Sequence, residues 1–416
     1  MARTVPDNPL KRALLVGLAG TWIAAALLCP GAAGLDPHRL MTQFGHTAWR
    51  TQDGLVNVPG AITQTTDGYI WIGVSGGILR FDGVKFTPWS PPADQSLPSN
   101  GISYLLGSRD GSLWIGTYGG LARFKDGRLF SYASPSWRAG ISSIIEDHSG
   151  KIWVTRYHVR DGKGSLCQVA DDELRCYGEK DGNPGRFGVG LAEDSTGSIW
   201  FACQMLCRLS AGSFSVQFKE QLTKPVNDGV IEVVAGPSGT LWTSLDGKGP
   251  GLGVRHYSNG KWARYSVPGF NGDTVRSHTL IVDHNQTLWV GTESEGIYHI
   301  HDGFADHYGA SEGLSGNSIE QIYEDSEGNL WVATDKGLDL FRDLPVETFS
   351  TSEGMEGANY ASILALEDGS VWAGGEEALD IIRGGRVSVI RAGHGLPGED
   401  VKNDIRRPHR SYLAWG

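Results

Sequence analysis

A short pattern centred on tryptophan recurs eight times along this chain, and it constrains the fold more than any other feature. Each time, a turn is followed by a short, mostly apolar run that contains the tryptophan, as in SLWIG, TLWVG and NLWVA. The repeated tryptophans are Trp71, Trp114, Trp153, Trp200, Trp242, Trp289, Trp331 and Trp372, and consecutive copies lie 39 to 47 residues apart. Repeats of this length are typical of β-propellers, in which one repeat forms one small sheet. The sequence therefore predicts an all-β propeller of four-stranded antiparallel blades.

Each copy contains the same local elements, most clearly between Ser318 and Asp343. An apolar strand leads to a turn that contains Asp and Gly, and the tryptophan strand and an alternating third strand follow. Asp in such a turn bonds nearby backbone amides, and a large aromatic side chain buries much apolar area between blades. Because these residues recur, we assign them to the scaffold.

The two ends of the repeat region are uneven. Residues 40–393 are predicted to form the propeller repeats. Residues 44–50 look like the outer strand of a blade without its inner strands, so we expect them to pair with a later blade and close the ring. Residues 394–416 resemble an incomplete next blade, with Trp415 at the tryptophan position. Two architectures follow: a seven-bladed ring plus the start of a second ring, or one eight-bladed ring.

The first 34 residues have the order of an export signal. Basic residues come first, the apolar run from Ala13 to Leu28 follows, and small residues surround Ala33. This order is typical of a secretory signal peptide, and the apolar run is short for a membrane span. We expect a periplasmic or other extracytoplasmic location, with an uncleaved membrane anchor as the alternative.

Four cysteines lie in two close pairs. A tight hairpin turn would place Cys167 opposite Cys176, and Cys203 and Cys207 flank a short connection. In an oxidising compartment we expect two local disulfides, whereas the alternative is four buried thiols.

Composition and motifs exclude several classes of function. The net charge of −11 disfavours nucleic acid as a partner, because phosphate binding needs clustered basic residues. Residues 73–77 match the G-x-S-x-G nucleophile pattern, but a strand is predicted to follow where a helix is required. We expect no cofactor and no metal site. His299 and His301 share one strand face and are interpreted as a surface pair without a third ligand.

The amino-acid sequence of the repeats resembles that of a known family. The segment EGLSGNSIEQIYED, from Glu312 to Asp325, and the opening segment from Phe44 to Phe86 are similar to two-component regulator propeller repeats. The resemblance implies an extracytoplasmic sensor that passes a signal to a kinase or another output module. This chain contains no segment resembling such a module, so the resemblance assigns it the sensing half and implies a membrane-bound kinase or other output protein as partner.

The candidate ligand site lies where the copies differ. The turn after each tryptophan strand carries small or acidic residues in most copies, but not in the third. The candidate residues are Arg156, Tyr157, His158 and Arg160 in the third copy, Tyr118 in the second copy, and Trp137 and Arg138 between them. Guanidinium groups suit anionic ligands and tyrosine suits a sugar face, whereas the alternative is an irregular solvated loop.

The predicted function is therefore a non-catalytic sensor that binds a small molecule or carbohydrate. The alternatives are a lyase-like propeller enzyme, which would need converging acid and base groups, and a protein-interaction scaffold or gene fragment. A homodimer is a further arrangement that the sequence leaves open.

Overall fold

A computed structural model describes residues 34–391 with internal gaps. The gaps are residues 133–138, 158, 160–162, 171–172, 186, 204, 218–228, 237–238, 259, 358 and 376–377. The predicted export signal and the predicted incomplete blade at 394–416, with Trp415, lie outside the described residues. Among the residues described, no helix is both long and apolar enough to cross a bilayer.

The described strands form eight four-stranded antiparallel sheets and one two-stranded ribbon. Strand β1 spans Gly45–Trp49. Blade 1 contains β2 (Pro59–Gln64), β3 (Ile70–Val74), β4 (Gly77–Phe81) and β5 (Phe86–Trp89), and blade 2 contains β6 (Ile102–Gly107), β7 (Leu113–Thr117), β8 (Gly120–Lys125) and β9 (Arg128–Ser131). Blade 3 contains β10 (Gly140–Glu146), β11 (Ile152–Tyr157), β12 (Leu166–Ala170) and β13 (Glu173–Tyr177), and blade 4 contains β14 (Leu191–Glu193), β15 (Ile199–Ala202), β16 (Leu206–Ser210) and β17 (Ser213–Gln217).

The remaining sheets follow the same order. Blade 5 contains β18 (Val230–Ala235), β19 (Leu241–Leu245), β20 (Gly253–Ser258) and β21 (Lys261–Arg264), and the ribbon contains β22 (Ser266–Val267) and β23 (Phe270–Asn271). Blade 6 contains β24 (Ser277–Val282), β25 (Leu288–Thr292), β26 (Ile297–His301) and β27 (Phe304–Tyr308), and blade 7 contains β28 (Ile319–Glu324), β29 (Leu330–Thr334) and β30 (Gly337–Arg342). The eighth sheet contains β31 (Ser362–Ala365), β32 (Val371–Gly374), β33 (Ala378–Arg383) and β34 (Arg386–Arg391), and short 3-10 turns occur at Met41–Gln43, Thr51–Asp53, Glu179–Asp181 and Thr351–Glu353.

The N-terminal strand β1 completes blade 7. It pairs antiparallel with β30, with Thr47 opposite Leu340. His46 Nε2 lies 2.8 Å from Oδ1 of the buried Asp339, so a polar contact fixes the same register. The innermost strands of blades 1 to 7 contact one another in sequence, and β28 also contacts β2. These contacts form a cycle of seven blades without the eighth sheet, which favours the seven-bladed ring.

The apolar cores lie between neighbouring blades. Seven clusters of buried residues are found in the described part of the chain, and each joins one blade to the next. Trp71 of blade 1 packs with Leu105 and Ile115 of blade 2. Trp331 of blade 7 packs with Ile72 of blade 1, which closes the series. The repeated tryptophan therefore holds each blade against the next one.

A polar contact orients most of these tryptophans. The indole Nε1 of Trp153, Trp200, Trp289 and Trp331 donates to the carboxylate six residues earlier, at 2.7–2.9 Å. Thr65 and Ser108 accept the same bond in blades 1 and 2. Asp147 also accepts bonds from turn amides, as the sequence predicts. Partial burial alone would raise the pKa of Asp147, but these hydrogen bonds lower it overall.

We expect Trp49→Ala to destabilise the ring because Trp49 of β1 stacks on Trp331 at a centroid distance of 5.7 Å and packs against Phe81 of blade 1. The expected loss in the free energy of unfolding is about 3 kcal/mol, as for other large aromatic truncations, measured by urea denaturation. Phe130→Ala is the control, since Phe130 is 47% exposed on β9. Equal effects of the two substitutions would show that β1 contributes little to closure.

Candidate functional site

A recurrent β-bulge directs one residue of each inner strand toward the central channel. In six of the seven blades the register between the first two strands shifts by one residue at the same place. Each shift leaves one residue of the inner strand out of the strand register. These residues all line one cavity of about 480 Å³, and they are Gly60, Ser103, Ser142, Ile231, His278 and Glu320. Val189 of blade 4 lines it too. We call these seven the channel residues, and the cavity has the size of a small-molecule site.

The channel residues have a simple sequence signal that motif reasoning missed. Each lies eleven residues before the tryptophan of its own blade, as His278 does before Trp289. Across blades 1 to 7 this position is Gly, Ser, Ser, Val, Ile, His and Glu. The tryptophans recur while this position varies, so the blades differ here at a surface that they all line.

Two of the channel residues are tied to the scaffold. Ser103 Oγ donates to the carbonyl of Ile141 in blade 3 at 2.6 Å. Ser142 Oγ donates to the carbonyl of Gly188. Each serine oxygen retains lone pairs that can accept from a ligand. His278 and Glu320 lie on adjacent blades 6 and 7 and bring an imidazole and a carboxylate to the same cavity.

A carboxyl group with a strongly shifted pKa lies beside these residues. Glu232 follows the bulge in β18 and lines the cavity. Desolvation raises the pKa of Glu232 to about 8, although its bond from the Val233 amide acts in the opposite direction. Tyr104 also lines the cavity, and burial, with a smaller contribution from the Glu232 charge, raises the pKa of Tyr104 to about 12. The Glu232 carboxyl group is thus mostly protonated near neutral pH.

Close packing of blades 4 and 5 fixes the Glu232 carboxyl group. An added Cβ at Gly190 would come within 2.4 Å of Glu232 Oε1 and 2.7 Å of its Cα. The Gly190 amide donates to the carbonyl of Ile231 at 3.0 Å. Only glycine therefore allows the two inner strands to approach this closely.

The structure brings together two candidate residues, Tyr118 of the second copy and Tyr157 of the third. Tyr118 is 61% exposed, and its ring meets the ring of the half-buried Tyr157 edge to face at 6.0 Å. Burial raises the pKa of Tyr157 to about 12. The pair forms an aromatic surface patch whose role in ligand binding stays a prediction. His158, Arg160, Trp137 and Arg138 lie outside the described residues.

The placement expected for Arg156 is wrong. Arg156 was expected in an exposed turn, but it lies within β11 and is 0% exposed. Its Nη1 donates to the carbonyl of Gly164 at 3.3 Å and lies 3.6 Å from Cys176 Sγ. The strand runs to Tyr157, so the guanidinium group is covered by the blade and cannot contact a ligand from this position.

Acidic residues in the corresponding turns of blades 5 and 6 are already paired. Arg276 bonds both carboxylate oxygens of Glu293 at 2.8 Å and Asp246 at 2.7 Å. Lys248 pairs with Glu295 at 2.7 Å. These ion pairs link blades 5 and 6. They neutralise carboxylates whose basic partners cannot be identified from the sequence alone.

The two cysteine pairs lie in blades 3 and 4. Cys167 and Cys176 are cross-strand neighbours joined by a disulfide of 2.00 Å. Cys203 and Cys207 are joined by a disulfide of 2.11 Å across the connection between β15 and β16.

The interpretation of His299 and His301 as a surface pair is also wrong. They are 0% and 6% exposed, and their rings stack at 4.3 Å. Asp306 lies beside them as a third potential ligand. Phe44 packs against the His299 ring and the Met41 amide bonds to Asp306, so residues before β1 cover this strand face, which local sequence could not show.

Comparisons with known proteins agree with this fold. Residues 96–119 and 313–336 match the family model described as two component regulator propeller, which confirms the resemblance. The extracellular domain of a hybrid two-component system from B. thetaiotaomicron aligns with a TM-score of 0.62 at 18% identity, over 83% of this chain and 49% of that one. A one-component system domain from the same organism gives 0.56 at 18% identity, over 85% and 48%.

A second group of similar structures consists of enzymes. Virginiamycin B lyase from Staphylococcus aureus aligns with a TM-score of 0.55 at 18% identity, over 73% of this chain and 100% of the lyase. In contrast to the lyase, the two sensor domains described above are longer than this chain, which spans about half of their length. No curated protein matches it in sequence. At these identities the structural likeness shows a shared β-propeller fold.

The pKa of Glu232 predicts a pH-dependent stability. Because the folded-state pKa of about 8 exceeds the unfolded value of 4.5, this group contributes stability below pH 4.5 that is lost as the pH rises toward 8. As the pH rises from 4.5 to 8.5, the free energy of unfolding of Glu232→Gln should therefore increase by about 2 kcal/mol relative to wild type. The expected change is smaller than the full pKa difference implies because the Glu232 side chain is only partly buried. Urea denaturation at both pH values measures it. Glu173→Gln, on an exposed part of β13, is the control, and a pH-independent difference for Glu232→Gln would contradict the assignment.

The disulfides predict a defined result in peptide mapping. Without reduction, mass spectrometry of the protein should show peptides joined through Cys167–Cys176 and Cys203–Cys207. Reduction should lower the melting temperature, because each disulfide restricts the unfolded chain and so stabilises the folded state by about 2 kcal/mol. Alkylation of all four thiols before reduction would refute both bonds.

Proposed function

Because this chain carries two-component regulator propeller repeats, we propose that it is an exported sensor module that binds a small polar ligand at the channel residues. The observation that carries the proposal is the contrast between the recurring tryptophans and the variable channel position. His278 and Glu320 stand out at that position because they are the ionisable residues among seven.

The chemistry of the cavity supports a carbohydrate-sized ligand. An imidazole can donate or accept a hydrogen bond, a carboxylate accepts, and the two serines add further acceptors. Such groups match the hydroxyls of a sugar, and a cavity of about 480 Å³ holds a small saccharide rather than a polymer. The Tyr118–Tyr157 patch is the competing location because aromatic rings pack against sugar faces.

The signalling role rests on the similar sensor domains. They are extracellular domains of two-component and one-component systems. By analogy, the ligand state of this propeller would be passed to a membrane-bound kinase or another output protein, and a homodimer is one assembly through which this could occur. A periplasmic location is consistent with the two disulfides.

An enzyme of the lyase type is the second candidate. The sequence offered no converging acid and base groups, but the structure places His278, Glu320, Glu232 and Tyr104 around one cavity. A structure of virginiamycin B lyase with quinupristin was made with a catalytically inactive histidine-to-alanine variant. That lyase therefore depends on a histidine, and His278 would be the base in this chain.

The first experiment screens neutral and uronic-acid-containing di- to tetrasaccharides by melting temperature. We expect at least one of them, the probe, to raise the melting temperature, because ligands stabilise the state that they bind. Isothermal titration calorimetry should then show that His278→Gln and Glu320→Gln each weaken binding at least about 10-fold, the equivalent of about 1.4 kcal/mol. His307→Gln, on the outer strand β27, is the matched control and should retain the affinity.

The remaining outcomes separate the alternatives. Loss of binding in Tyr118→Ala but not in the channel variants would move the site to the tyrosine patch. Conversion of the probe into a product, abolished by His278→Gln without loss of affinity, would identify an enzyme. Probe binding that is unchanged in all of these variants would refute the channel site.

A further inference from the structure

The cluster of His299, His301 and Asp306 lies apart from the channel and has no role in the function proposed above. His299 and His301 are on β26, and Asp306 is directly opposite His299 on β27. His299 stacks on Trp289 at 4.2 Å, and His301 stacks on His299 at 4.3 Å. Three chemically reactive side chains are thus held on one face of blade 6 by its core.

The distances suit a common metal ion. Oδ1 of Asp306 lies 2.9 Å from His299 Nδ1 and 3.6 Å from His301 Nε2. The potential ligand atoms of all three residues lie within 4.8 Å of one another. A tetrahedral zinc ion with bonds of about 2.1 Å would require ligand atoms about 3.4 Å apart. The two distances to Asp306 Oδ1, 2.9 and 3.6 Å, lie on either side of that value.

The hydrogen bonding of the histidines points in the same direction. Within the described part of the chain, both ring nitrogens of His301 and Nε2 of His299 are buried without a hydrogen-bond partner. Buried polar atoms nearly always have a partner, because leaving one without costs about 1–3 kcal/mol. A metal ion bound to His301 Nε2 would provide that partner.

The surrounding residues orient the three ligands. The amide of Met41 donates to Asp306 Oδ2 at 2.6 Å, which leaves Oδ1 directed at the histidines. Oδ2 of Asp302 lies 3.6 Å from Nδ1 of His301, on the far side of that ring. A carboxylate behind a ligating histidine is the usual outer-shell arrangement at metal sites, and Asp302, which also contacts His38 at 2.5 Å, would have to move closer to His301 to form that bond.

From these observations we propose that His299 Nδ1, His301 Nε2 and Asp306 Oδ1 bind one divalent transition-metal ion of the zinc type. Two imidazoles favour Zn²⁺, Co²⁺ or Ni²⁺ over the oxygen-preferring Mg²⁺ and Ca²⁺.

The site also joins the N-terminal segment to blade 6. Residues 34–44, which we call the strap, precede β1, and Leu35, Met41 and Phe44 belong to the core between blades 6 and 7. The Met41 bond to Asp306 connects the strap directly to a proposed metal ligand. A bound ion would therefore stabilise the strap and, through it, the closure of the ring by β1.

The test uses the full chain without a histidine tag. After dialysis with Zn²⁺, elemental analysis should give one zinc per chain, and Zn²⁺ but not Mg²⁺ should raise the melting temperature. Competition with a chromophoric chelator should show at least 10-fold weaker binding in His301→Gln and Asp306→Asn. Asp302→Asn should weaken binding about 10-fold as an outer-shell change, and His307→Gln should bind like wild type.

A spectroscopic measurement keeps the test independent of variant folding. X-ray absorption at the zinc edge of the wild-type protein should show two imidazole nitrogens and oxygen, without sulfur. Zinc binding that is equal in all variants, the absence of retained zinc, or a spectrum with one imidazole or none would overturn the proposal.

Discussion

The pairing of β1 with β30 is the interaction on which the rest of the structure depends. Every blade buries apolar side chains against both neighbours, so an open row of seven blades would expose two of these surfaces. Strand β1 removes the open ends by supplying the fourth strand of blade 7 while Trp49 packs across to blade 1. The contact between His46 and Asp339 spans 293 residues, so the chain loses much conformational freedom in forming it. The channel exists because that closure brings the inner strands around a common axis.

The sequence predicts the repeating parts of this structure and fails where distant segments meet. The tryptophan period identifies the propeller, and the outer-strand character of residues 44–50 anticipates β1. Arg156 was misplaced because a strand end cannot be located to within one or two residues from local pattern. The channel residues were missed because a one-residue bulge leaves no composition signal, although their constant distance from the tryptophan was visible. For His299 the missing information was partly local: a turn at Asp302 and Gly303 predicts its pairing with Asp306. Its burial was not predictable, because the strap that covers it comes from the other end of the ring sequence.

The same contrast explains how a repeated scaffold can carry one site. Residues that recur are fixed by packing: the tryptophan packs on an apolar surface of the next blade, and in six of the seven blades it donates to an acceptor six residues before it. The bulge residue is free of both requirements because its side chain leaves the sheet at the inner edge. Substitution there changes the cavity, although at Ser103 and Ser142 it also removes a bond to a neighbouring carbonyl. Six repetitions of one backbone irregularity therefore give a ring of positions that can vary without changing the tryptophan contacts between blades.

The proposed ligand site and the proposed metal site lie apart but both use residues of blade 6, and this suggests how a rigid ring could report binding. His278 lies on blade 6 and Glu320 on blade 7, so a ligand that contacts both residues bridges these two blades. The strap lies in the core between the same two blades, and β1 completes the second of them. A ligand can shift a conformational equilibrium only by binding one state more tightly, and such coupling acts equally in both directions. A ligand that holds blades 6 and 7 together would therefore favour the ordered strap, and an ordered strap with its metal ion would favour ligand binding by the same factor.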